Sequence, residues 1–266
     1  MRAIALTIEY DGTDFAGSQY QDGQRTVQSE LEAAWQRLTG ETRRWTFAGR
    51  TDSGVHARGQ VVHTRTETHH TLPTVQRALN ALLPSDIGVR EVREADAEFH
   101  ARYSAWRREY RYVILNEREG SPLLRRYALH VPEELDVGSM DQSIRVLIGE
   151  HDFATFGTVA HGSTVRQCFE ARCAPVEENG RHLVTVELAA NGFLRHMVRA
   201  IVGTLLLVGR GRWDATKVEQ ILRSRDRAAS GPTAPPHGLY LEAVRYPPSV
   251  WAIGPSDGNS AHSGRH

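Results

Sequence analysis

The sequence has few of the residues that mark secreted, metal-binding or membrane proteins. Its 266 residues include two cysteines, Cys168 and Cys173, which excludes a disulfide scaffold and argues against zinc. Its histidines lack metal-ligand spacing, and it has no Gly-Lys-Ser/Thr loop for a nucleotide cofactor. The apolar run at 200–208 is far shorter than the roughly 18 residues of a membrane helix. With no signal-peptide pattern at its start, we expect a cytoplasmic protein without a metal or a membrane partner.

Lysine is nearly absent as well. Lys217 is the only one, so 31 of the 32 cationic side chains are arginine, and the formal net charge is zero. Arginines are concentrated in two zones, 102–126 and 195–227, each with seven arginines and three acidic residues. Because arginine binds phosphate with two parallel hydrogen bonds and stacks on bases, these zones favour a local nucleic-acid surface. Genome composition alone could also produce a bias towards arginine.

Hydrophobic periodicity predicts short strands alternating with amphipathic helices in the first half. Alternating apolar residues from Ile4 to Tyr10 predict a strand, and the spacing from Val27 to Leu38 predicts a helix. Strand-like runs flank residues 48–57, and a second helix begins at Pro73 and ends at Pro84. With a strand over 87–92, the predicted order is β-α-β-β-α-β.

The second half repeats this order with one extra strand. The predicted elements are a strand over 106–115, another at 126–131, a helix near 140–148, a hairpin across Asn179-Gly180, an apolar helix over 194–208, a helix capped by Asp214 and a strand over 239–245. This repetition predicts an α+β fold of two ferredoxin-like or RRM-like split-βαβ halves, with antiparallel sheets flanking a central cleft. We expect halves at 1–103 and 104–248 and a disordered tail at 249–266.

The segment from Ala48 to Ala57 concentrates chemistry in a short loop. It holds a carboxylate, Asp52, together with a cation, Arg50, an imidazole, His56, and two glycines. Glycine permits close approaches of the backbone, so such a loop can direct Asp52 towards a ligand beside a charged partner. A plain turn in which Asp52 caps backbone N–H groups would have the same composition.

Four segments carry a resemblance to a known family. They are YDGTDFAG at 10–17, GRTDSGVHA at 49–57, REYRY at 108–112 and NGFLRHMVR at 191–199. In this order and spacing, the chain from about Arg2 to Tyr246 resembles the TruA-type tRNA pseudouridine synthases. The resemblance implies two RRM-like halves, a homodimer and a tRNA partner. It also implies isomerisation of uridine at positions 38, 39 and 40 of the anticodon stem-loop, without a cofactor. Ser18, where the family usually has tryptophan, and Ser53, where alanine is commoner, depart from the pattern.

The resemblance assigns roles to three residues at the centre of the reaction. Asp52 matches the catalytic aspartate, and an ionised carboxylate can attack a developing cation at C1′ or add to C6 of the base. Arg199, which lies in the predicted apolar helix, would pair with Asp52, because a buried cation needs a partner. The alternative is an Arg199 that points to solvent. The Tyr110 ring would stack on the target uracil and its hydroxyl could assist removal of the C5 proton, although a mid-strand tyrosine is more often packing.

Three further residues are expected around the substrate. Removing the target base from its stack leaves a gap, and Arg50 is the candidate to occupy it or to hold the phosphates. Leu239 would form a wall of the uracil pocket, although core packing explains it nearly as well. His56 would contact RNA, although a histidine in a turn commonly binds backbone groups.

Two other functions compete with this interpretation. One is a non-catalytic RNA-binding protein or chaperone of the same fold, and the other is a pseudouridine synthase that acts on a different RNA site. A binding protein has no need of Asp52, Tyr110 and Arg199 together, so the residues favour an isomerase. A synthase with another target would carry the same three residues, and only mapping of the modified positions separates the two synthases.

Overall fold

The computed structural model of this chain describes residues 1–158 and 162–252. Within these ranges ten strands form one sheet: β1 (Arg2–Tyr10), β2 (Thr46–Phe47), β3 (His56–Thr66), β4 (Ile87–Ala95), β5 (Arg107–Leu115), β6 (Leu129–His130), β7 (Gly149–Asp152), β8 (Val165–Glu178), β9 (Arg181–Ala190) and β10 (Leu239–Arg245). The helices are α1 (Val27–Thr39), α2 (Leu72–Leu82), α3 (Val137–Ile144), α4 (Met197–Gly209) and α5 (Lys217–Ser224). This arrangement confirms the expected α+β class.

The sheet runs in the order β4-β1-β3-β10-β5-β9-β8-β7, with β2 added to β3 and β6 added to β5. Its pairs are antiparallel apart from β3 with β10 and β5 with β6. β10, the last strand of the chain, lies between β3 and β5, where Tyr240 pairs with His56 and Leu241 pairs with Ala57. Strands from both halves of the chain therefore belong to one continuous sheet, where the sequence suggested separate sheets.

Capping residues set the ends of the first two helices. Thr26 and Ser29 form a reciprocal capping box at the start of α1, and Gly40 ends it in the left-handed conformation. Thr71 caps α2, which has Pro73 in its first turn. Both helices lie where the sequence predicted them, since their apolar faces recur at helical spacing.

The second half confirms some predicted boundaries and corrects others. Asn179 and Gly180, both with positive φ, connect β8 to β9 as the predicted hairpin turn. The apolar helix α4 begins at Met197, later than predicted, because Arg195 first pairs with Thr158 as an isolated bridge. The N-cap of α5 is Thr216, and not Asp214 as predicted. The Asp214 carboxylate accepts the Thr216 N–H just before the helix begins.

The predicted tail starts too early. The Trp251 ring packs against Phe99 and Tyr246, with ring centroids 5.2 and 5.5 Å apart. The Ala252 N–H donates to the Glu94 carbonyl, so residues 249–252 cover the end of β4. The prediction of disorder from residue 249 is therefore wrong for these four residues, because Trp251 supplies apolar surface to bury. The remaining residues of the predicted tail, 253–266, lie outside the described residues.

The helix α4 forms much of the core of the second half. Most of its residues are buried, and a Cβ at Gly203 would come 1.6 Å from the Pro232 carbonyl oxygen. The segment leading into β10 therefore lies directly on α4, which fixes the position of the helix against β10. Although α4 is the most apolar helix, neither it nor any other helix of the described residues is long and apolar enough to cross a membrane.

Candidate active site

The Asp52 loop, residues 48–55, connects β2 to β3 close to the point where β3 meets β10. Thr51, the residue before Asp52, is held by hydrogen bonds with Ser18 and Tyr10. The Ser18 N–H donates to the Thr51 carbonyl at 3.1 Å, and the Thr51 N–H donates to Ser18 Oγ at 2.9 Å. The hydroxyls of Tyr10 and Thr51 are 2.8 Å apart. Ser18, a departure from the family pattern, therefore takes part in fixing the backbone next to Asp52.

Glycines allow the first motif to lie directly on the Asp52 loop. A Cβ at Gly12 would come 2.0 Å from the Val55 carbonyl oxygen. At Gly17, where φ is +103°, a Cβ would come 2.9 Å from the Thr51 carbonyl oxygen. Because real Cβ atoms do not tolerate such contacts, glycine is required at both positions for the two motifs to pack.

Asp52 forms an ion pair with Arg199. Arg199 Nη1 donates to Asp52 Oδ2 at 2.9 Å, and Arg199 Nε donates to the Ala234 carbonyl at 2.7 Å. The Asp52 side chain is 28% exposed and the Arg199 side chain 15%. The guanidinium is thus held at two atoms, and the carboxylate stays accessible to a ligand. An Arg199 pointing into solvent is excluded.

His196 is a second group that faces this carboxylate, and the sequence did not single it out. His196 Nε2 lies 3.5 Å from Asp52 Oδ2, and the side chain is 38% exposed. Its φ is +65°, the left-handed conformation that non-glycine residues rarely adopt. The signal available in the sequence was its membership of the fourth motif, three residues before Arg199.

Tyr110 presents an aromatic surface next to the loop. Its ring packs edge-to-face on Phe193 with centroids 4.9 Å apart, and a Cβ at Gly49 would come 3.9 Å from its hydroxyl. Burial, followed by the proximity of Tyr10 and Asp52, raises the pKa of Tyr110 well above its usual range. The phenol is therefore neutral near pH 7, which favours stacking and hydrogen bonding over action as a phenolate base.

Arg50 and Leu239 occupy different environments. Arg50, two residues before Asp52, is exposed, and no carboxylate of the described residues forms an ion pair with it. Leu239 is 5% exposed and lies opposite Tyr112 in β5, so it packs in the core. The turn just before Leu239 reaches the loop, since a Cβ at Gly54 would lie 2.9 Å from Pro236 Cγ.

His56 does not meet the expectation of an RNA contact. Its ring is 2% exposed and stacks on Tyr240 with centroids 4.8 Å apart. Its Nδ1 accepts the Gly12 N–H at 3.0 Å, while Nε2 lies 2.9 Å from the Arg126 carbonyl and 3.1 Å from that of His237. Both ring nitrogens are engaged by backbone groups, so His56 joins three loops and has no surface left for RNA. Burial of the ring argues against this contact, which stays a prediction.

Arg108 was also missed. Its side chain is buried and donates to the Ala48 carbonyl at 3.3 Å, the Asn191 carbonyl at 2.8 Å and the Ala105 carbonyl at 2.9 Å, and also to the Arg102 carbonyl. One guanidinium therefore ties the Asp52 loop to the fourth motif. Burial lowers the pKa of Arg108. Its place in the third motif was the available signal, but a sequence does not reveal which arginines are internal.

The comparisons with known proteins agree with this geometry. The family model described as tRNA pseudouridine synthase matches residues 6–104 and 144–247. A relative from Roseiflexus sp. (strain RS-1), named tRNA pseudouridine synthase A, is 60% identical over 93% of this chain and 92% of its own. Proteins of the same name from Chloroflexus aurantiacus (strain ATCC 29366 / DSM 635 / J-10-fl) and Thermoanaerobacter sp. (strain X514) are 54% and 42% identical, covering 94% and 92% of this chain and 91% and 100% of theirs. The chain belongs to the tRNA pseudouridine synthase family.

Proposed function

We propose that this chain isomerises uridine to pseudouridine at positions 38, 39 and 40 of the tRNA anticodon stem-loop without a cofactor. The observation that carries the proposal is the accessible Asp52 carboxylate held 2.9 Å from Arg199. A carboxylate oriented by a guanidinium and open to a ligand is suited to attack on an electron-poor carbon. The names of the relatives support tRNA as the substrate.

The reaction conserves every atom of the nucleotide except for exchange of protons. The C1′–N1 bond breaks, the uracil turns within the pocket, a C1′–C5 bond forms, C5 releases its proton, and N1 acquires one. Asp52 would either form a bond to C1′ as the glycosidic bond breaks or add to C6 of the uracil. In both routes the carboxylate departs unchanged, so no cofactor is consumed.

The surrounding residues fit the remaining requirements. The Tyr110 ring would stack on the uracil and hold it during rotation, as a neutral phenol beside Asp52. Arg50 would meet the phosphates or fill the gap left when the base leaves its stack. The segment from Ala234 to Leu239 would close the pocket on the side of Arg199, with Leu239 supporting it from the core.

The architecture would comprise two ferredoxin-like or RRM-like halves, at 1–103 and 104–248. The strand orders β4-β1-β3-β2 and β10-β5-β9-β8 support this division, since each half follows the same pattern. The separate family-model matches over 6–104 and 144–247 also support it. We further propose a homodimer, as the family resemblance implies, and a cytoplasmic location, as the absence of a signal-peptide pattern suggests.

The test is release of tritium from tRNA labelled at C5 of uridine, with no cofactor added. Wild type should release tritium and Asp52→Ala should not, while both bind tRNA with similar affinity, because formation of pseudouridine expels the C5 hydrogen by either route. Asp52→Asn is the matched variant, because it keeps the shape and removes the charge. Mapping of the product should place pseudouridine at positions 38–40. Binding of tRNA without release by wild type would favour the non-catalytic RNA-binding protein, and product at other positions would favour a synthase for another RNA site.

A further inference from the structure

We propose that Arg102, Tyr103, Trp106 and Arg166 form a second RNA-binding surface, here called the ledge, which holds unpaired nucleotides next to the reacting one. This inference rests on the proposed function, because it assigns the ledge to the same tRNA substrate. The ledge lies beside the Asp52 loop and shares none of the six residues predicted from the sequence.

The ledge contains the two most exposed side chains among the phenylalanines, tyrosines and tryptophans of the described residues. Tyr103 is 75% exposed and Trp106 is 50% exposed, whereas Tyr20, the next of these three residue types, is 41% exposed. Large exposed apolar side chains that lie together, with polar residues around them, mark interaction sites on protein surfaces. Proteins that bind single-stranded nucleic acid use such rings to stack on bases, whose flat faces are available in every sequence.

Each ring is supported from below by another aromatic ring. His100 stacks under Tyr103 with centroids 4.4 Å apart and planes at 31°. Phe169 packs edge-on to Trp106 with centroids 5.8 Å apart and planes at 62°. Rings held in this way lose little further conformational freedom when a base stacks on them, which favours binding.

The cations of the ledge are not neutralised by carboxylates. Within the described part of the chain, neither Arg102 nor Arg166 has a carboxylate within ion-pair distance, and Arg166 instead donates to the Ser163 and Val165 carbonyls at 2.8 and 2.6 Å. The neighbouring Arg107, in contrast, is bound by Glu109 and Glu170 at 2.8 Å each. A Cβ at Gly192 would lie 3.4 Å from Arg166 Nε. The Arg108 guanidinium binds the carbonyls of the neighbouring Asn191 and of Arg102, so both cations lie beside the fourth motif. Two adjacent unneutralised guanidiniums favour a polyanion.

The ledge is joined to the active site by backbone contacts. The Arg108 guanidinium binds the carbonyls of Arg102, Asn191 and Ala48, so the ledge, the fourth motif and the Asp52 loop meet at one side chain. Trp106 directly precedes β5 and lies four residues before Tyr110, about 13 Å away by strand rise. That spacing places Trp106 within reach of nucleotides that flank a uridine stacked on Tyr110.

A second copy of this chain is the less favourable occupant. Two identical ledges facing each other would bring four unneutralised guanidiniums together, and like charges repel across an interface. RNA supplies both phosphates for the arginines and bases for the rings. The chemistry of the ledge therefore matches single-stranded RNA.

Equilibrium binding of tRNA at several salt concentrations tests the proposal. Trp106→Ala and Tyr103→Ala should each raise Kd about 5- to 100-fold and leave the salt dependence unchanged, because stacking carries no charge. The Arg102→Ala/Arg166→Ala double variant should reduce the slope of log K against log salt by about 1 to 2. Trp106→Phe should restore most of the affinity. Ile148→Ala and Arg145→Ala, at exposed side chains outside both arginine zones, serve as controls and should bind like wild type.

Other results would overturn the ledge. Binding within about twofold of wild type for every ledge variant would remove its role in RNA recognition. Loss of dimer in sedimentation, together with loss of affinity, would mean that a second copy covers it. Failure of the proposed function is visible separately, as absence of tritium release by wild type, and the ledge is still judged by the binding measurements.

Discussion

Arg199 Nη1 lies 2.9 Å from Oδ2 of Asp52, although the two residues are 147 positions apart in the chain. Asp52 follows β2 in the first half, and Arg199 lies in α4 of the second. β10 lies between β3 and β5 and unites the two halves in one sheet, which brings the two residues together. The geometry of the site therefore depends on the pairing of β10 with β3 and β5, as well as on the two motifs that contain Asp52 and Arg199.

Arg199→Lys should reduce the rate of the chemical step about 100-fold while leaving the affinity for tRNA within about threefold. The guanidinium binds Asp52 and the Ala234 carbonyl through different nitrogens, and a single ammonium cannot reproduce that geometry. Small displacements of a reacting group are enough for a loss of this size. Single-turnover tritium release, beside filter binding of tRNA, measures both quantities. A loss confined to affinity would make Arg199 an RNA contact.

His196→Gly should stabilise the protein and lower its activity. His196 has a φ of +65°, and releasing a side chain from that conformation is worth about 1 kcal/mol. The same change removes the imidazole that lies 3.5 Å from Asp52, so we expect a loss of kcat of about tenfold. Thermal unfolding and tritium release test the two effects, with His196→Ala as a variant that loses the imidazole and keeps the strain. Full activity of His196→Gly would show that the imidazole has no part in the reaction.

Gly17→Ala should impair both folding and catalysis, because its new methyl group would press on the Thr51 carbonyl beside Asp52. Gly23 provides a matched control: its φ is +68°, and a Cβ there would have nothing within 4 Å. Gly23→Ala should therefore lower the free energy of unfolding by only about 1 kcal/mol and leave kcat unchanged. Urea unfolding measures the loss of stability in each variant, and tritium release measures kcat. A fall in kcat for Gly17→Ala alone would come from the contact with Thr51, because both variants carry the strain of a positive φ. Equal kcat values for the two variants would mean that the packing of the first motif does not set the position of Asp52.

Short-range features of this fold were predictable from the sequence. The apolar spacing of α1 and α2 and the turn at Asn179-Gly180 depend on residues close together in the chain. The position of β10 was not predictable in the same way, because its alternation fits any half-buried strand and its neighbours are distant in sequence. The repeat in the sequence therefore suggested separate sheets, whereas the structure has one.

In the candidate site, too, some features were predictable from the sequence and others were not. The four motifs identified Asp52 and Arg199, and the structure brings them together. His56 was expected to contact RNA and Arg108 was not singled out, but both are buried and bind backbone groups. Burial of a polar side chain depends on which distant loops cover it, and no local pattern records that. His196 was missed for a related reason, since it faces Asp52, a residue 144 positions away, and its left-handed conformation directly follows the bridge between Arg195 and Thr158.

His56→Ala should lower the free energy of unfolding by about 3 kcal/mol without weakening tRNA binding by the folded protein. The substitution leaves the Gly12 N–H and the carbonyls of Arg126 and His237 without their partner in a buried region. His182→Ala is the control, because that side chain is 70% exposed. Urea unfolding and filter binding at low temperature measure the two effects. An unchanged stability with weaker binding would restore the RNA contact expected from the sequence.

Stability should fall in mild acid, in part because of His63. Burial, and then the proximity of His100, lower the pKa of His63 to about 4, and its Nδ1 accepts the Ala101 N–H at 3.2 Å. In the unfolded chain the pKa is about 6.5, so between pH 6.5 and pH 4 the unfolded state binds a proton that the folded state does not. Lowering the pH from 7 to 5 should therefore destabilise the fold by about 2 kcal/mol through this residue.

The variant His63→Gln isolates that contribution, because glutamine keeps a hydrogen-bond acceptor and does not titrate. Its free energy of unfolding should fall by about 2 kcal/mol less than that of wild type between pH 7 and pH 5, whatever its stability at pH 7. Urea unfolding of wild type and His63→Gln at both pH values gives the four free energies of unfolding. The comparison depends on the difference between two pH values within each protein, so a change in packing at His63 cancels. An identical fall in both proteins would assign the acid sensitivity to other groups and remove His63 from the linkage.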